Sequence, residues 1–214
     1  IATSSLKARE GTYSSRIQNP ANNYCYKDVT PAGATVYYRF YVYLDVATLA
    51  AGARVGLAHI RGTTLTNWIS GVYIWEATRK LILRYLTGGA LTYKTQTVTT
   101  LAEDVWYAVE HKVVVGATDG SLITWLDGSQ ITALDVSNID NNDYGNPGRI
   151  HLGAYDSSGT ITLDMYQDSV IVDDASYIGL IVSGWTHKIL GVPNANIGKI
   201  QGILKANIAK VNGV

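Results

Sequence analysis

The sequence predicts an all-β protein made of two stacked antiparallel sheets, and three observations carry that prediction. From Thr12 to Asp174 the dominant hydrophobic period is two, which sends alternate side chains to opposite faces of a strand. Short segments rich in Gly, Asp and Ser separate the periodic runs and supply residues that reverse a backbone. No stretch carries a convincing amphipathic helical stripe, and strands at this spacing bury their apolar faces by stacking sheet on sheet.

The runs can be taken in order. "VYYRFYVYL" (36–44) puts Tyr37, Arg39, Tyr41 and Tyr43 on one face and Tyr38, Phe40, Val42 and Leu44 on the other. "RKLILRYL" (79–86) alternates less cleanly. "VWYAVEHKVVV" (105–115) groups Val105, Tyr107, Val109, His111, Val113 and Val115 against Trp106, Ala108, Glu110 and Lys112. "GRIHLGA" (148–154) and "TITLDMYQDSVIV" (160–172) continue the pattern. Turns are expected at "AGA" (51–53), "TGGA" (87–90), "ATDGS" (117–121), "LDGSQ" (126–130) and "DSSG" (156–159). Fifteen tyrosines against one phenylalanine suit half-wet pleated surfaces, where the ring packs and the hydroxyl reaches water.

A length of 214 residues suits one substantial domain, and 47% apolar residues is ordinary for a folded chain. No apolar run approaches the ~18–20 residues that span a bilayer, so no membrane insertion is expected. The chain starts at Ile1 without methionine or signal peptide, as a processed product or an excised piece would. Cys25 is the one cysteine, which leaves no internal disulfide and no CxxC site. A small buried side chain is expected there, an intermolecular bridge being the alternative. The net charge of zero is unevenly spread. Residues 175–214 hold Lys188, Lys199, Lys205 and Lys210 and no Asp, Glu or Arg, so that segment is +4 and the rest, with 13 of the 17 basic residues against all 17 acidic ones, is −4. Such a tail suits an acidic surface, including a neighbouring copy's body. Without arginine or stacking aromatics it makes a poor phosphate-binding patch, so no nucleic-acid partner is expected.

Several stretches resemble one family. "GTYSSRIQ", "VYYRFYVYLD", "WYAVEHKVVVG" and the hairpin "ITWLDGSQI" are similar to strands of the concanavalin A-like, laminin-G-like jelly rolls. "GRIHLGAYDSSGTITLDMYQDSVIVDD" resembles their closing element. The resemblance covers residues 10–174 and implies an antiparallel two-sheet jelly-roll sandwich over 1–174, with 175–214 as a separate tail.

That family includes glucanases and polysaccharide lyases, so catalysis has to be tested. The glucanases carry E-x-D-x-x-E on one strand, since two carboxylates must flank the scissile bond. Glu10, Glu76, Glu103 and Glu110 have no acidic residues at those offsets. The lyase motifs Q-I-H and Y-x-K-x-G-x-Y are missing, and "RIHLGAY" (149–155) is a distant echo whose His151 lacks the glutamine. Nor is there a G-x-S-x-G nucleophile, and Cys25 has no histidine near it in sequence. His59, His111, His151 and His187 are scattered without metal-ligand spacing and read as satisfied structural histidines. No catalytic residue is expected, and no cofactor except calcium. "NIDNNDYGN" (138–146) gathers oxygen ligands in Asp140, Asn142 and Asp143, either as a calcium site or as a solvated turn. A glycan surface would use Tyr37, Arg39, Tyr41 and Tyr43 with Glu110 and Lys112, if both strands share a sheet. An amphipathic solvent face is the alternative reading.

The tail repeats every eleven residues: "KILGV", "KIQGI" and "KVNGV" start at 188, 199 and 210, and Ala195-Asn196-Ile197 recurs as Ala206-Asn207-Ile208. An eleven-residue period suits a right-handed helical stripe. Gly191, Gly198, Gly202, Gly213 and Pro193 oppose it, each glycine costing ~1 kcal/mol and the proline ~3 kcal/mol. A β-meander is favoured, turning at Gln201-Gly202 and Asn212-Gly213 between strands near 195–200 and 203–211. Its apolar side would seek a companion chain through Ile197, Ile200, Ile203, Ile208 and Val211, with Lys199, Lys205 and Lys210 facing acidic neighbours. Similar tails look like those of virion and cell-surface proteins. The expected function is a non-catalytic structural or adhesion module, extracellular or on a cell or virion surface, that joins copies of itself or a shell protein through its tail. A carbohydrate-binding module is the alternative, and a lyase or glucanase the third reading.

Overall fold

The computed structural model describes residues 2–18, 23–64, 67–155 and 157–180, together with the backbone of 199–200 and 203–204. It divides into two compact units, Ile1–Ile178 and Gly179–Val214. In the first unit the strands are β1 (Ala2–Ser4), β2 (Ser14–Gln18), β3 (Asn23–Asp28), β4 (Thr35–Leu49), β5 (Arg54–Gly62), β6 (Trp68–Trp75) and β7 (Lys80–Thr87). They continue with β8 (Ala90–Thr100), β9 (Trp106–Val114), β10 (Gly120–Leu126), β11 (Ser129–Gln130), β12 (Val136–Ile139), β13 (Pro147–Ala154) and β14 (Ile161–Asp173). A short 3₁₀ turn spans Thr132–Leu134.

These strands form two antiparallel sheets stacked as a sandwich. The eight-stranded sheet runs β1-β2-β14-β4-β9-β10-β11, with β12 also on β10, and the six-stranded sheet runs β3-β13-β5-β6-β7-β8. Tyr38, Phe40, Val42 and Leu44 of β4 and Val109 and Val113 of β9 form one wall of the core, as the alternation predicts. Val55, Ile60, Val72, Ile74, Leu83 and Ile150 of the other sheet face them. Each large apolar side chain removed from water contributes about 1.5–3 kcal/mol. His111 lies in this core with its Nδ1 2.9 Å from Thr124 Oγ1 and its Nε2 3.1 Å from Ser70 Oγ, a polar link between the sheets.

The "TGGA" turn is a two-residue hairpin: Thr87 pairs with Ala90, and Gly88 and Gly89 have φ of 55° and 73°. Both central positions need positive φ to match strand twist, which glycine adopts without steric cost. The imperfect alternation of residues 79–86 also has a physical cause. β7 is buried on both faces, Leu81, Leu83 and Tyr85 in the core and Ile82, Arg84 and Leu86 on the outer side. Cys25, expected to be buried, is exposed. It lies on β3, which among the described strands is an edge paired with β13 alone and whose burial falls away along its length.

In the second unit, β15 (Lys199–Ile200) pairs antiparallel with β16 (Ile203–Leu204), Ile200 opposite Ile203. This is the pairing that a turn at 201–202 requires. Ile197, Lys205, Ile208, Lys210 and Val211 lie outside the described residues.

Candidate functional site

The face expected to hold a glycan is assembled but covered. β4 and β9 are neighbours, with Tyr37 opposite Lys112, Arg39 opposite Glu110 and Tyr43 opposite Trp106. Lys112 Nζ sits 5.4 Å over the Tyr37 ring. Yet Arg39, Tyr41, Tyr43 and Glu110 are all buried. The segment after β1 returns across them. Arg9 lies 4.9 Å over the Tyr41 ring, and Lys7 Nζ donates to Tyr43 Oη at 2.9 Å. From the other end of the unit, the Ile178 N–H donates to Glu110 Oε1 at 2.7 Å, and Tyr177 packs on Trp125. Arg39, Tyr41, Tyr43 and Glu110 therefore pack beneath these crossing segments, while Tyr37 and Lys112 stay partly exposed. Strand alternation assigns faces without saying what crosses them.

The Asp/Asn loop is tied to the neighbouring hairpin. Asp143 Oδ2 accepts the Gly89 N–H at 2.9 Å, the Asp140 carbonyl accepts the Gly88 N–H at 2.8 Å, and the Asn142 carbonyl accepts the Gly145 N–H at 2.9 Å. The loop thereby holds the β7–β8 turn. Among the described residues no group of three or more His, Cys, Asp or Glu side chains could hold a metal ion.

A different site lies on the outer face of the six-stranded sheet. His59 on β5 stands directly opposite His151 on β13, and Gly71 on β6 opposes His59 from the other side. His59 is fully buried, and its Nε2 lies 2.6 Å from Tyr73 Oη. A Cβ on Gly71 would overlap the His59 ring and press on Tyr73, and one on Gly56 would overlap His59 and the Tyr155 backbone. These two glycines make the floor on which the imidazole lies.

Around the histidine pair the aromatic rings form a continuous row. Tyr155 meets His59 and His151 edge-on at 5.0 Å from each, and Tyr24 stacks on His151 at 4.7 Å and 7°. Arg61 donates to Tyr155 Oη. Arg84 lies 4.7 Å over Trp68 and 5.2 Å over Tyr93, and Arg149, paired with Asp28, lies 4.1 Å over Tyr26. Tyr26 and Tyr93, 57% and 43% exposed, present rings at the two ends of the row. From β3 to β8 five strand spacings give the face a width of about 24 Å.

The charge on this sheet is one-sided. Its six strands hold Lys27, Arg54, Arg61, Lys80, Arg84, Lys94 and Arg149 and a single acid, Asp28. The strands of the other sheet hold Asp45, Glu110, Asp164, Asp168 and Asp173 against Arg16, Arg39 and Lys112. The net charge of zero conceals a basic sheet and an acidic one. Burial, followed by the charges of His151, Arg84 and Arg61, drives His59 well below the usual imidazole range. His151 is pushed down to about 4 by burial, then by Arg61 and Arg149. Both rings are neutral near pH 7. Of the histidines read as satisfied, His187 lies outside the described residues, and the reading holds for His111. It fails for His151, neither of whose ring nitrogens has a partner among the described residues, and for His59 at Nδ1.

The two-sheet architecture is that of a concanavalin A-like β-sandwich. Among solved structures, the cellulose-induced protein Cip1 is similar at a TM-score of 0.60 and 17% identity, over 84% of this chain and 87% of that one. An alginate lyase in complex with alginate trisaccharide matches at 0.49 and 13%, over 77% and 84% of the two chains. A tetrameric galectin from the ball sponge Cinachyrella sp. matches at 0.43 and 15%, over 70% and 99%. No protein-family model and no curated protein sequence matches the chain.

Proposed function

We propose that this chain is a glycan-binding adhesion module, displayed outside the cell or on a virion surface, that holds its ligand on the outer face of the six-stranded sheet without cleaving it. The observation that carries this reading is the row of aromatic rings from Tyr26 to Tyr93 interleaved with arginines and histidines. Aromatic faces pack against the C–H faces of sugar rings, and convergent polar groups fix their hydroxyls. The tail, as a separate unit, would join the module to other copies or to a shell protein. Binding to a glycan panel tests the reading. Tyr26→Ala and Tyr93→Ala, which truncate exposed rings, should each weaken the glycan that binds by up to about tenfold, in line with ~0.5–1.5 kcal/mol for a lost aromatic contact. Tyr41→Ala, on the covered face, should leave the affinity unchanged. A panel without a single binder would refute the proposal.

The His59–Tyr73 contact favours one second reading, a polysaccharide lyase. A hydrogen-bonded imidazole–phenol pair is suited to moving a proton taken from a sugar carbon. Ultraviolet absorbance from an unsaturated product, on incubation with polyuronates, would establish it; no rise in absorbance would exclude it for those substrates.

A further inference from the structure

We propose that the open end of β14 is a docking edge for a second copy, whose tail adds a strand beside residues 170–173 and seats an aliphatic side chain in the adjoining groove. This rests on the reading of the tail as the element that joins copies, and it names the surface that receives it.

β2 pairs with β14 from Asp164 to Gln167 and no further. Beyond that point Ser169 takes a φ of 51° and the register against β4 shifts between Asp168 and Ile171, a bulge that ends the pairing with β2. β14 then continues on β4 alone, with Ile171 opposite Arg39, Val172 opposite Tyr38 and Asp173 opposite Tyr37. Its other edge has no strand beside it among the described residues. Val170, Ile171 and Val172 are 42%, 39% and 38% exposed there. Consecutive β-branched residues on an open edge are a template for an added strand, whose main chain supplies the missing hydrogen bonds.

A groove of about 420 Å³ adjoins this edge. Val29, Pro31, Val36 and Val172 give it apolar walls, and Asp173 and Asp174 border it. Asp173 accepts the N–H groups of Ala175 and Ser176, and Asp174 that of Ala32. Neither carboxylate forms an ion pair among the described residues. Lys112, two strands away, lies over the Tyr37 ring instead. The corner therefore fits an aliphatic group and a cation together.

Strand alternation sets their order. Val172 lies opposite Tyr38 and so on the core side of its sheet, while Asp173 falls on the outer side. Each tail repeat opens on a matching dyad, Lys188-Ile189, Lys199-Ile200 and Lys210-Val211. Laid along the edge, such a strand sets its aliphatic residue at the groove and its lysine toward Asp173. Lys199-Ile200 is β15, whose one partner among the described strands is β16. With four lysines and no acid, the tail also carries the sign of charge that the corner attracts. The donor is a second copy because the chain itself leaves in the other direction. Past β4, Ile178 bonds to Glu110 of β9 and Tyr177 packs on Trp125 of β10, away from the open edge.

The test uses the full chain. Isotopically light and heavy protein are mixed at low concentration, reconcentrated and treated with a carbodiimide, which joins carboxylate to amine without a spacer. Cross-linked peptides should join Asp173 or Asp174 to a tail lysine and pair one light partner with one heavy. Sedimentation equilibrium reads the affinity. Asp173→Asn with Asp174→Asn, which keeps an acceptor for each N–H, should weaken self-association about fivefold and flatten its salt dependence. Val172→Lys, which sets a like charge in the groove, should weaken it by about tenfold or more. If that variant fails to fold, the asparagine pair still decides. Cross-links that never mix labels assign the edge to the chain's own tail and overturn the inference. Self-association lost in Lys199→Glu but unchanged by the edge variants overturns it too, while leaving the tail as the joining element. A chain that stays monomeric at every concentration overturns both.

Discussion

Replacing Gly71 by alanine adds one methyl group at the floor of the histidine pair. Gly71 does not have a positive φ, so its backbone accepts alanine and the cost comes from space alone. The new Cβ would overlap His59 Cδ2 and stand 2.9 Å from His59 Nε2 and 3.0 Å from Tyr73 Cε2. The imidazole must move, and its 2.6 Å contact with Tyr73 is lost in a fully buried site. A buried hydrogen bond is worth roughly 1 kcal/mol net, and overpacking by a methyl group costs about 1–3 kcal/mol. Gly71→Ala is therefore expected to destabilise the fold by roughly 2–4 kcal/mol. Urea unfolding should show a lower midpoint at unchanged slope. Combined with His59→Ala, which vacates the space, the same substitution should cost far less, a coupling of about 1–3 kcal/mol. A Gly71→Ala protein within about 0.5 kcal/mol of wild type would refute this packing.

Three further predictions concern the core and the tail. Burial pushes His111 down to about 3, below its unfolded value, so the unfolded chain binds the proton first. Its contribution is complete above about pH 6.5 and falls with acidification at ~1.4 kcal/mol per pH unit. Between about pH 6.5 and 4.5 the loss is roughly 3 kcal/mol, and His111→Gln, able to keep the Ser70 and Thr124 contacts, should show a correspondingly flatter pH profile; identical profiles would count against it. Removing residues 179–214 should leave a folded body and, if the tail joins copies, reduce the particle to a monomer in light scattering. A cut at Asp174 should be less stable than a cut at Ile178, because it also removes the Ile178 bond to Glu110 and the Tyr177 packing on Trp125.

Much of the fold was legible where a strand has one face in the core. β4 and β9 alternate, and their inward residues are those the period selects. β5 and β6 were harder to read, because "VGLAHI" (55–60) and "ISGVYI" (69–74) are buried on both faces and lose the alternation. The site hid for the same reason. Its residues run from Tyr24 to Tyr155 across six strands, and only the strand order β3-β13-β5-β6-β7-β8 brings them together. Within the sequence, "RIHLGAY" was the one local trace, since His151 and Tyr155 belong to the cluster. The polarity between the sheets was unreadable before the strands were sorted, because basic and acidic runs alternate along the chain and cancel. The face of Tyr37, Arg39, Tyr41 and Tyr43 was correctly grouped, yet its fate depended on residues 7–10 and 177–178 crossing it.

The most direct measurement is the imidazole NMR spectrum of the full chain titrated with the glycan that binds most tightly in the panel. Resonances of His59 and His151 should shift together and saturate with the binding isotherm, while those of His111, in the core between the sheets, stay in place. Saturable binding that leaves His59 and His151 unmoved, or that instead perturbs Tyr37 and Lys112 on the opposite sheet, would contradict the assignment of the basic sheet as the ligand face.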